Sequence, residues 1–356
     1  TINVRTVIKY IKIVPIKRVQ IHCFITDIPV ILYALADRRN TLTDLDLTLT
    51  NIAHSPSLER ILSDKKGIIE QLPENAFPKL AYLSIDSSHL SHVHLGGRSK
   101  LLDILGRNLL KLSFRNLSPD GVFAILQSKC PKLVHLRMDK AHSQNDFEKY
   151  SSTHLLHLEL CRCPFLLSNS LSIQFPSLKS LRFSPANRLD ASQIMSLVER
   201  LPINLLELSM EIPSTLANVL VNAVSNALYS LKKLHICGSH ETGFISRESL
   251  ILLGNACRSL QSLQITCAYM VNPLLFNSPS DFTLLESSQL FPCLSSLHLT
   301  ICDVVLSGLP GLLAHSTTLQ NVTLLCRKNW IPQNIALERM CTELSMQYPH
   351  IKLELD

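Results

Sequence analysis

The stretch LLHLEL at residues 155–160 has leucine at its first, fourth and sixth positions, and this pattern decides the fold of the chain. The same apolar-x-x-apolar-x-apolar pattern appears 22 residues earlier, where Leu133, Leu136 and Met138 occupy the three positions. It recurs along nearly the whole chain of 356 residues. The thirteen copies open at Ile16, Leu42, Leu80, Leu109, Leu133, Leu155, Leu178, Leu205, Leu231, Leu260, Leu294, Leu319 and, in a degenerate form, His350.

Each copy predicts one short strand, because alternate side chains of an extended backbone lie on the same side. The copies are spaced by about 28 residues on average, which leaves room for a helix between consecutive strands. A repeat of this kind buries its apolar side only by stacking on its neighbours. The sequence therefore predicts an α/β leucine-rich-repeat solenoid (a horseshoe), with a parallel concave sheet, convex helices and about thirteen repeats.

The repeats run without an internal linker, so the sequence predicts a single domain over residues 1–356. We expect residues 1–15 to form a partial N-terminal repeat or a cap, and residues 349–356 to form the terminal strand. Asp190 and Gln193 have the spacing of a capping box and predict the start of a helix. Further helices are predicted at roughly 28–37, 213–229, 246–257 and 334–347.

Composition and cysteine placement bound the class of protein and its location. Hydrophobic residues make up 46% of the chain, but charges interrupt every apolar stretch well below the length of a membrane span. Aromatic residues make up only 6%, so the chain lacks the interleaved aromatic and basic residues of many nucleic-acid binders. The eleven cysteines are odd in number and scattered. We therefore expect reduced thiols in the cytoplasm or nucleus, no membrane insertion and no nucleic-acid partner.

Within each predicted strand, the third, fifth and seventh repeat positions point to the concave surface. Neighbouring strands lie about 4.8 Å apart, so these side chains form one continuous patch. The predicted partner-binding residues are Lys111, Arg115, His135, Arg137, His157, Glu159, Arg182, Glu207, Lys233 and His235. Arginine forks match carboxylate and phosphate geometry, so the patch suits an acidic or phosphorylated protein segment. The alternative is a solvated strand face whose charges neutralise one another.

Two features outside the strands are candidate contacts for a partner. An apolar insertion at 272–279, which includes Phe276, lies in a repeat of 34 residues. Insertions in solenoids loop out from one face and often meet the partner, and the alternative is length drift without function. Trp330 follows the penultimate strand, where it either anchors a partner or covers the last apolar repeat.

The helix exits connect the chain to a known family. Residues 130–133 read C-P-x-L, and residues 257–263 read C-x-x-L-x-x-L, in each case leading into a strand. Together with the cysteines that follow several strands, these exits resemble the cysteine-containing repeats of leucine-rich-repeat F-box proteins, over about residues 16–356. In that family the repeats hold a substrate, while a separate F-box docks the SKP1–cullin adaptor of a ubiquitin ligase. The resemblance implies the substrate-binding region of an F-box-type (SCF) ubiquitin ligase receptor.

The F-box itself is not evident in these 356 residues. Contact with the SKP1–cullin adaptor therefore requires an F-box upstream of residue 1. The alternative function is a standalone leucine-rich-repeat inhibitor, scaffold or immune-sensor domain without a ligase role. An upstream nucleotide-binding domain would favour that alternative.

Chemistry-bearing motifs are weak in this sequence. His89, His92 and His94 form an H-x-x-H-x-H cluster, but no acid or cysteine completes a metal-ligand set, and the apolar Leu90 and Val93 between them favour a secondary strand. The sequence has no phosphate loop, nucleophile elbow or carboxylate pair beside a positioned base. We predict no metal site, no cofactor and no enzymatic activity.

Overall fold

The computed structural model covers the strands of all the repeats. The described residues are 16–24, 27–37, 39–50, 72–87, 93–94, 100–118, 122–140, 147, 150–163, 171–239, 245, 247–267, 291–300, 318–325, 334–350 and 352–355. The chain divides into two compact units. The first unit contains residues 1–178 and 185–187, and the second contains residues 179–184 and 188–356.

Each of the thirteen copies of the pattern contains the start of one strand, two residues after the residue that opens the copy. Within each unit the strands lie in chain order and pair in parallel. The first unit contains β1 (Arg18–Phe24), β2 (Asp44–Thr50), β3 (Tyr82–Asp86), β5 (Lys111–Arg115), β7 (His135–Asp139) and β8 (His157–Cys163), and a separate parallel pair of β4 (Val93–His94) and β6 (Leu117–Ser118). The second unit contains β9 (Ser180–Pro185), β10 (Glu207–Pro213), β11 (Lys233–Ser239), β12 (Ser262–Cys267), β13 (Ser296–Thr300), β14 (Asn321–Leu325) and β15 (Lys352–Leu355).

Helices occupy the returns between strands, and several match the predicted positions. The first unit contains α1 (Ile28–Ala36), α2 (Lys100–Leu105), α3 (Val122–Lys129) and α4 (Leu171–Gln174). The second unit contains α5 (Ala191–Glu199), α6 (Ala217–Ala227), α7 (Arg247–Ala256) and α8 (Asn334–Gln347), and a 3₁₀ turn, Ser214–Leu216, precedes α6. The predicted capping box is confirmed: the Asp190 carboxylate accepts from Gln193 N at 2.8 Å, and Asp190 N donates to Gln193 Oε1 at 2.9 Å.

A recurring backbone hydrogen-bond pattern aligns consecutive strands. The carbonyl oxygen at the second position of one repeat accepts the N–H groups of the second and third positions of the next. In the first unit Leu110 O accepts from Val134 N and His135 N, both at 2.9 Å. In the second unit Leu206 O accepts from Lys232 N at 2.8 Å. Because this bond recurs, equivalent repeat positions lie side by side on neighbouring strands.

The leucine ladder forms the core of both units. Leu158 and Leu160 of β8 are fully buried, and Leu208 and Met210 of β10 are buried equally well. Burial of one such side chain stabilises a fold by roughly 1.5–3 kcal/mol, so the ladder supplies much of the driving force for folding. Along each strand, side chains that point away from the core alternate with the residues of the ladder. In β1, for example, successive side chains are alternately exposed and buried.

The helix exits are built around one buried slot, three residues before the leucine that opens a repeat. Phe77, Cys130 and Phe175 fill this slot, and the N–H of the opening leucine donates to the carbonyl oxygen of the slot residue. Gly106 occupies the same slot in its own repeat. A Cβ there would lie 2.5 Å from Leu102 O and 3.0 Å from Cys130 Sγ, so only glycine fits beside its neighbours.

These observations confirm the predicted fold: the chain is an α/β leucine-rich-repeat solenoid. The predicted terminal strand is β15, whereas the N-terminal cap predicted at residues 1–15 lies outside the described residues. Among the described residues, no helix combines the length and apolar character that crossing a membrane requires.

Candidate functional site: the strand faces of the two units

The side chains at the third, fifth and seventh repeat positions form what we call the first strand face, in the first unit, and the second strand face, in the second unit. On the first strand face the third-position row is Arg18, Asp44, Tyr82, Lys111, His135 and His157. The fifth-position row is Gln20, Asp46, Ser84, Ser113, Arg137 and Glu159. The seventh-position row is His22, Thr48, Asp86, Arg115, Asp139 and Cys161.

Glu159 gathers two of the predicted site residues. The carboxylate of Glu159 lies 3.0 Å from His135 Nε2 and 3.7 Å from Arg137 Nε, across the β7–β8 pair. The ring centroids of His135 and His157 are 5.7 Å apart in the neighbouring row. Arg137 Nε is buried and makes no hydrogen bond to a described residue, although about a third of the Arg137 side chain is exposed. This guanidinium therefore retains donor capacity.

Asp139 holds a second cluster at the carboxyl end of the strands. Only 5% of its side chain is exposed. Arg162 donates two hydrogen bonds to the Asp139 carboxylate, from Nε to Oδ1 at 2.9 Å and from Nη2 to Oδ2 at 2.7 Å. Arg115 lies 3.7 Å from the same carboxylate and donates to Asp86 at 3.0 Å. Arg115, a predicted partner-binding residue, is thus also an internal bridge between two acids.

Arg162 is not among the partner-binding residues predicted from the sequence. It occupies the eighth repeat position, where its backbone φ is 52°, in the left-handed region. Asn116 and Lys140 have φ values of 55° and 57° at the same position of the two preceding repeats. The available signal was a polar residue at the eighth position of three consecutive repeats, Asn116, Lys140 and Arg162, where the left-handed backbone redirects the side chain.

The second strand face carries the remaining four predicted residues. Glu207 and Lys233 form an ion pair at 2.6 Å across β10 and β11. Arg182 is exposed on β9. The His235 ring lies between two hydroxyl groups, with Nδ1 3.2 Å from Ser209 Oγ and Nε2 3.3 Å from Thr266 Oγ1.

Burial is the main cause that lowers the pKa of His235 below its ordinary value of 6.5, and the positive charge of Arg182 contributes. This shift favours the neutral form of the ring, which lies between the two hydroxyl groups. Beyond β11, the described positions of this face as far as β14 carry no aspartate, glutamate, lysine or arginine. They are Ser262, Gln264, Thr266, Ser296, His298, Asn321 and Thr323.

An open groove of about 460 Å³ lies on the first strand face, across β1, β2, β3 and β5. The groove combines acidic, basic and apolar side chains. Its lining includes Arg18, Asp44, Asp46, Tyr82, Leu110 and Lys111.

Other candidate chemistry has little support among the described residues. No group of three or more His, Cys, Asp or Glu side chains there could hold a metal ion. Burial raises the pKa of the Cys130 thiol to about 12 and that of Cys257 to about 11, so neither is a thiolate at neutral pH. Phe276, Trp330, His89 and His92 lie outside the described residues.

No protein-family model matches the chain, and no curated protein matches it. Among solved structures, the chain is similar to one described as the crystal structure of the Rad7 and Elc1 complex in yeast. The similarity covers 83% of this chain and 80% of that chain, with a TM-score of 0.51 and 16% sequence identity. At this identity it concerns the fold alone, and it agrees with the leucine-rich-repeat class that the register defines.

Proposed function

We propose that this protein recognises another protein through its strand faces, as the substrate-binding region of an F-box-type (SCF) ubiquitin ligase receptor. The recognition role is supported by the arrangement of side chains on the first strand face. There, three parallel rows present charged, imidazole and aromatic side chains at the fixed spacing of the strands. A rigid surface of this kind binds without reordering its backbone. The ligase role rests on the C-P-x-L and C-x-x-L helix exits.

We place an acidic or phosphorylated segment of the partner near Lys111 and Arg137. Lys111 is exposed and has no ion pair with another described residue. About a third of the Arg137 side chain is exposed, and its Nε lies 3.7 Å from Glu159 without a hydrogen bond to a described residue. Arg115 suits this role less, because Asp86 and Asp139 already hold its guanidinium. A phosphate near Arg137 would compete with Glu159 for the same cation, which favours a doubly charged anion over a single carboxylate.

We further propose a location in the cytoplasm or nucleus and a role in binding without catalysis. The cysteines Cys130 and Cys257 are buried and form no disulfide, as is usual for cytoplasmic and nuclear proteins. Fractionation of cells that express the natural full-length protein tests the location, and recovery of the protein in the secreted fraction would contradict it.

Quantitative affinity capture of the natural full-length protein from cells tests the function. The Lys111→Glu/Arg182→Glu variant reverses one exposed charge on each strand face. The matched control, Arg107→Glu/Arg258→Glu, makes the same change at exposed positions of the helix exits in each unit. We expect all forms to recover a cullin and its adaptor. One further protein, the substrate, should be lost only from the strand-face variant.

Two other results would argue against this proposal. A stable partner without any ligase subunit, in every form, would favour the alternative of a standalone inhibitor, scaffold or immune-sensor domain. Equal loss of the partner from the strand-face variant and from its control would move the binding site away from the strand faces.

A further inference from the structure

The groove on the first strand face has chemistry that an acidic partner segment alone does not use. Its third-position row runs from Arg18 through Asp44 and Tyr82 to Lys111, on β1, β2, β3 and β5. Asp46 lines the same groove from the fifth position of β2. Two carboxylates and an aromatic ring therefore share one concavity with a cation at either side.

The Asp46 carboxylate is available to a ligand. It makes no hydrogen bond or ion pair with another described residue. Its neighbours in the register are the uncharged Gln20 and Ser84. A partly buried carboxylate without a counterion gains most from an incoming cation, since part of its hydration is already lost.

Asp44 is held only loosely. Its Oδ2 accepts from Thr43 Oγ1 at 2.7 Å, and its Oδ1 lies 3.8 Å from Arg18 Nη2. The Arg18 side chain is 80% exposed, so solvent screens this pair and the arginine can move away at little cost. Asp44 can therefore share a second cation with Asp46.

Tyr82 and Leu110 give the groove an apolar wall. Tyr82 is the register neighbour of Asp44, and Leu110 is 43% exposed at the edge of the groove. A guanidinium stacks on an aromatic ring while its edge pairs with carboxylates, and its aliphatic stem covers apolar surface. The combination of Asp44, Asp46 and Tyr82 fits arginine better than lysine.

We infer that this groove binds an arginine side chain of the protein partner, with the guanidinium between Asp44, Asp46 and Tyr82. Lys111 is the next neighbour of Tyr82 in the row, about 10 Å from Asp44 across two strand spacings. An acidic residue of the same partner segment therefore lies on the Lys111 side. This inference rests on the proposed protein-recognition role and adds a basic residue to the partner's recognition motif.

Fluorescence anisotropy with short labelled peptides tests the groove directly. The probes are a triarginine, a trilysine and a triglutamate peptide, added to the full chain at low ionic strength. We expect triarginine to bind more tightly than trilysine. Asp46→Asn should weaken triarginine binding about five- to tenfold, a typical effect of removing one charge-assisted contact. Lys111→Gln should strengthen it, because a repelling cation is removed.

A matched variant separates local pairing from general charge. Glu74 is an exposed acid of the first unit that does not line the groove, so Glu74→Gln changes the net charge of the protein by the same amount as Asp46→Asn. Tyr82→Leu keeps every charge and should lower the preference for triarginine over trilysine. Equal weakening by Glu74→Gln and Asp46→Asn, or no triarginine binding by the wild type, would overturn the inference.

The two proposals fail in different ways. Loss of the captured partner from Asp46→Asn but not from Glu74→Gln would link the groove to that partner. If Lys111→Glu/Arg182→Glu loses the partner while Asp46→Asn retains it fully, protein recognition stands and the arginine site is wrong.

Discussion

Each of the two strand faces follows the same repeat pattern and lies over the same kind of leucine core, but the side-chain chemistry of the two faces differs. On the first face acids and bases interlock, and the nearly buried Asp139 holds both Arg115 and Arg162. On the second face the described positions from β12 to β14 carry hydroxyl, amide and imidazole groups. The repeat fold therefore fixes where side chains point and leaves the chemistry of the face free to vary. The charges of the first face are not a requirement of the fold.

The largest effect is expected in the core, where the two units should respond alike. Leu158→Asp in β8 and Leu234→Asp in β11 each place a charge at a position that is at most 1% exposed. Each should cost more than about 4 kcal/mol and abolish the cooperative unfolding of the wild type, because the charge has no partner between repeats. Circular dichroism during urea denaturation measures this. A full cooperative transition in either variant would contradict the assigned register.

A smaller effect should separate the faces at the seventh repeat position. Asp139→Asn leaves Arg115 and Arg162 without their shared counterion, and we expect a loss of about 2 kcal/mol, since both arginines are half exposed and can regain water. Thr266→Val at the equivalent position of β12 removes only neutral hydrogen bonds and should cost about 1 kcal/mol. Equal costs, measured by denaturant unfolding, would show that the ion pairs of Asp139 stabilise the fold no more than neutral hydrogen bonds do.

The second face should respond to acid through His235. Its pKa is lowered in the folded state, so the unfolded state takes up a proton first as the pH falls. Stability from this group is complete above its ordinary pKa of 6.5 and declines as the pH falls below that value. We expect the wild type to lose more stability than His235→Gln between pH 7.5 and pH 5.5. The difference in the free energy of unfolding between the two proteins at pH 7.5 measures the contribution of the His235 hydrogen bonds. Parallel pH profiles of the two proteins would refute the lowered pKa of His235.

The smallest effects are expected for exposed cations. Lys111→Glu and Arg182→Glu should each change the free energy of unfolding by less than about 0.5 kcal/mol, because neither side chain pairs with another described residue. Arg115→Glu should cost more, since it adds a third carboxylate beside Asp86 and Asp139. Thermal melts of the three variants give the ranking. A stability loss at Lys111 as large as at Arg115 would mean that Lys111 is structural.

The sequence predicted backbone features well because they follow from periodicity. The starts of the thirteen repeat strands, the capping box at Asp190 and the helix over residues 334–347 were all predictable from apolar spacing and capping chemistry. The placement of the predicted partner-binding residues on the strand faces followed from the same repeat pattern. The use of the site residues for binding remains a prediction.

Side-chain pairing was beyond sequence reasoning for a physical reason. Arg115 and Asp139 are 24 positions apart, and only the register of β5 against β7 brings them together. Arg162 joins them because its left-handed backbone redirects the side chain. The patch predicted to suit an acidic or phosphorylated segment is for this reason partly neutralised by its own carboxylates. The groove at Asp46 depends in the same way on β1, β2 and β3 lying side by side.

Site-specific photo-crosslinking tests most directly whether the strand faces bind the partner. A benzoylphenylalanine replaces Ser113 or Gln264, one on each strand face, or Ile173 or Leu252, exposed positions on helices of the two units. In cells expressing the natural full-length protein, we predict crosslinks to the captured partner from Ser113 or Gln264 and none from Ile173 or Leu252. Crosslinks from the helix positions alone would contradict recognition by the strand faces.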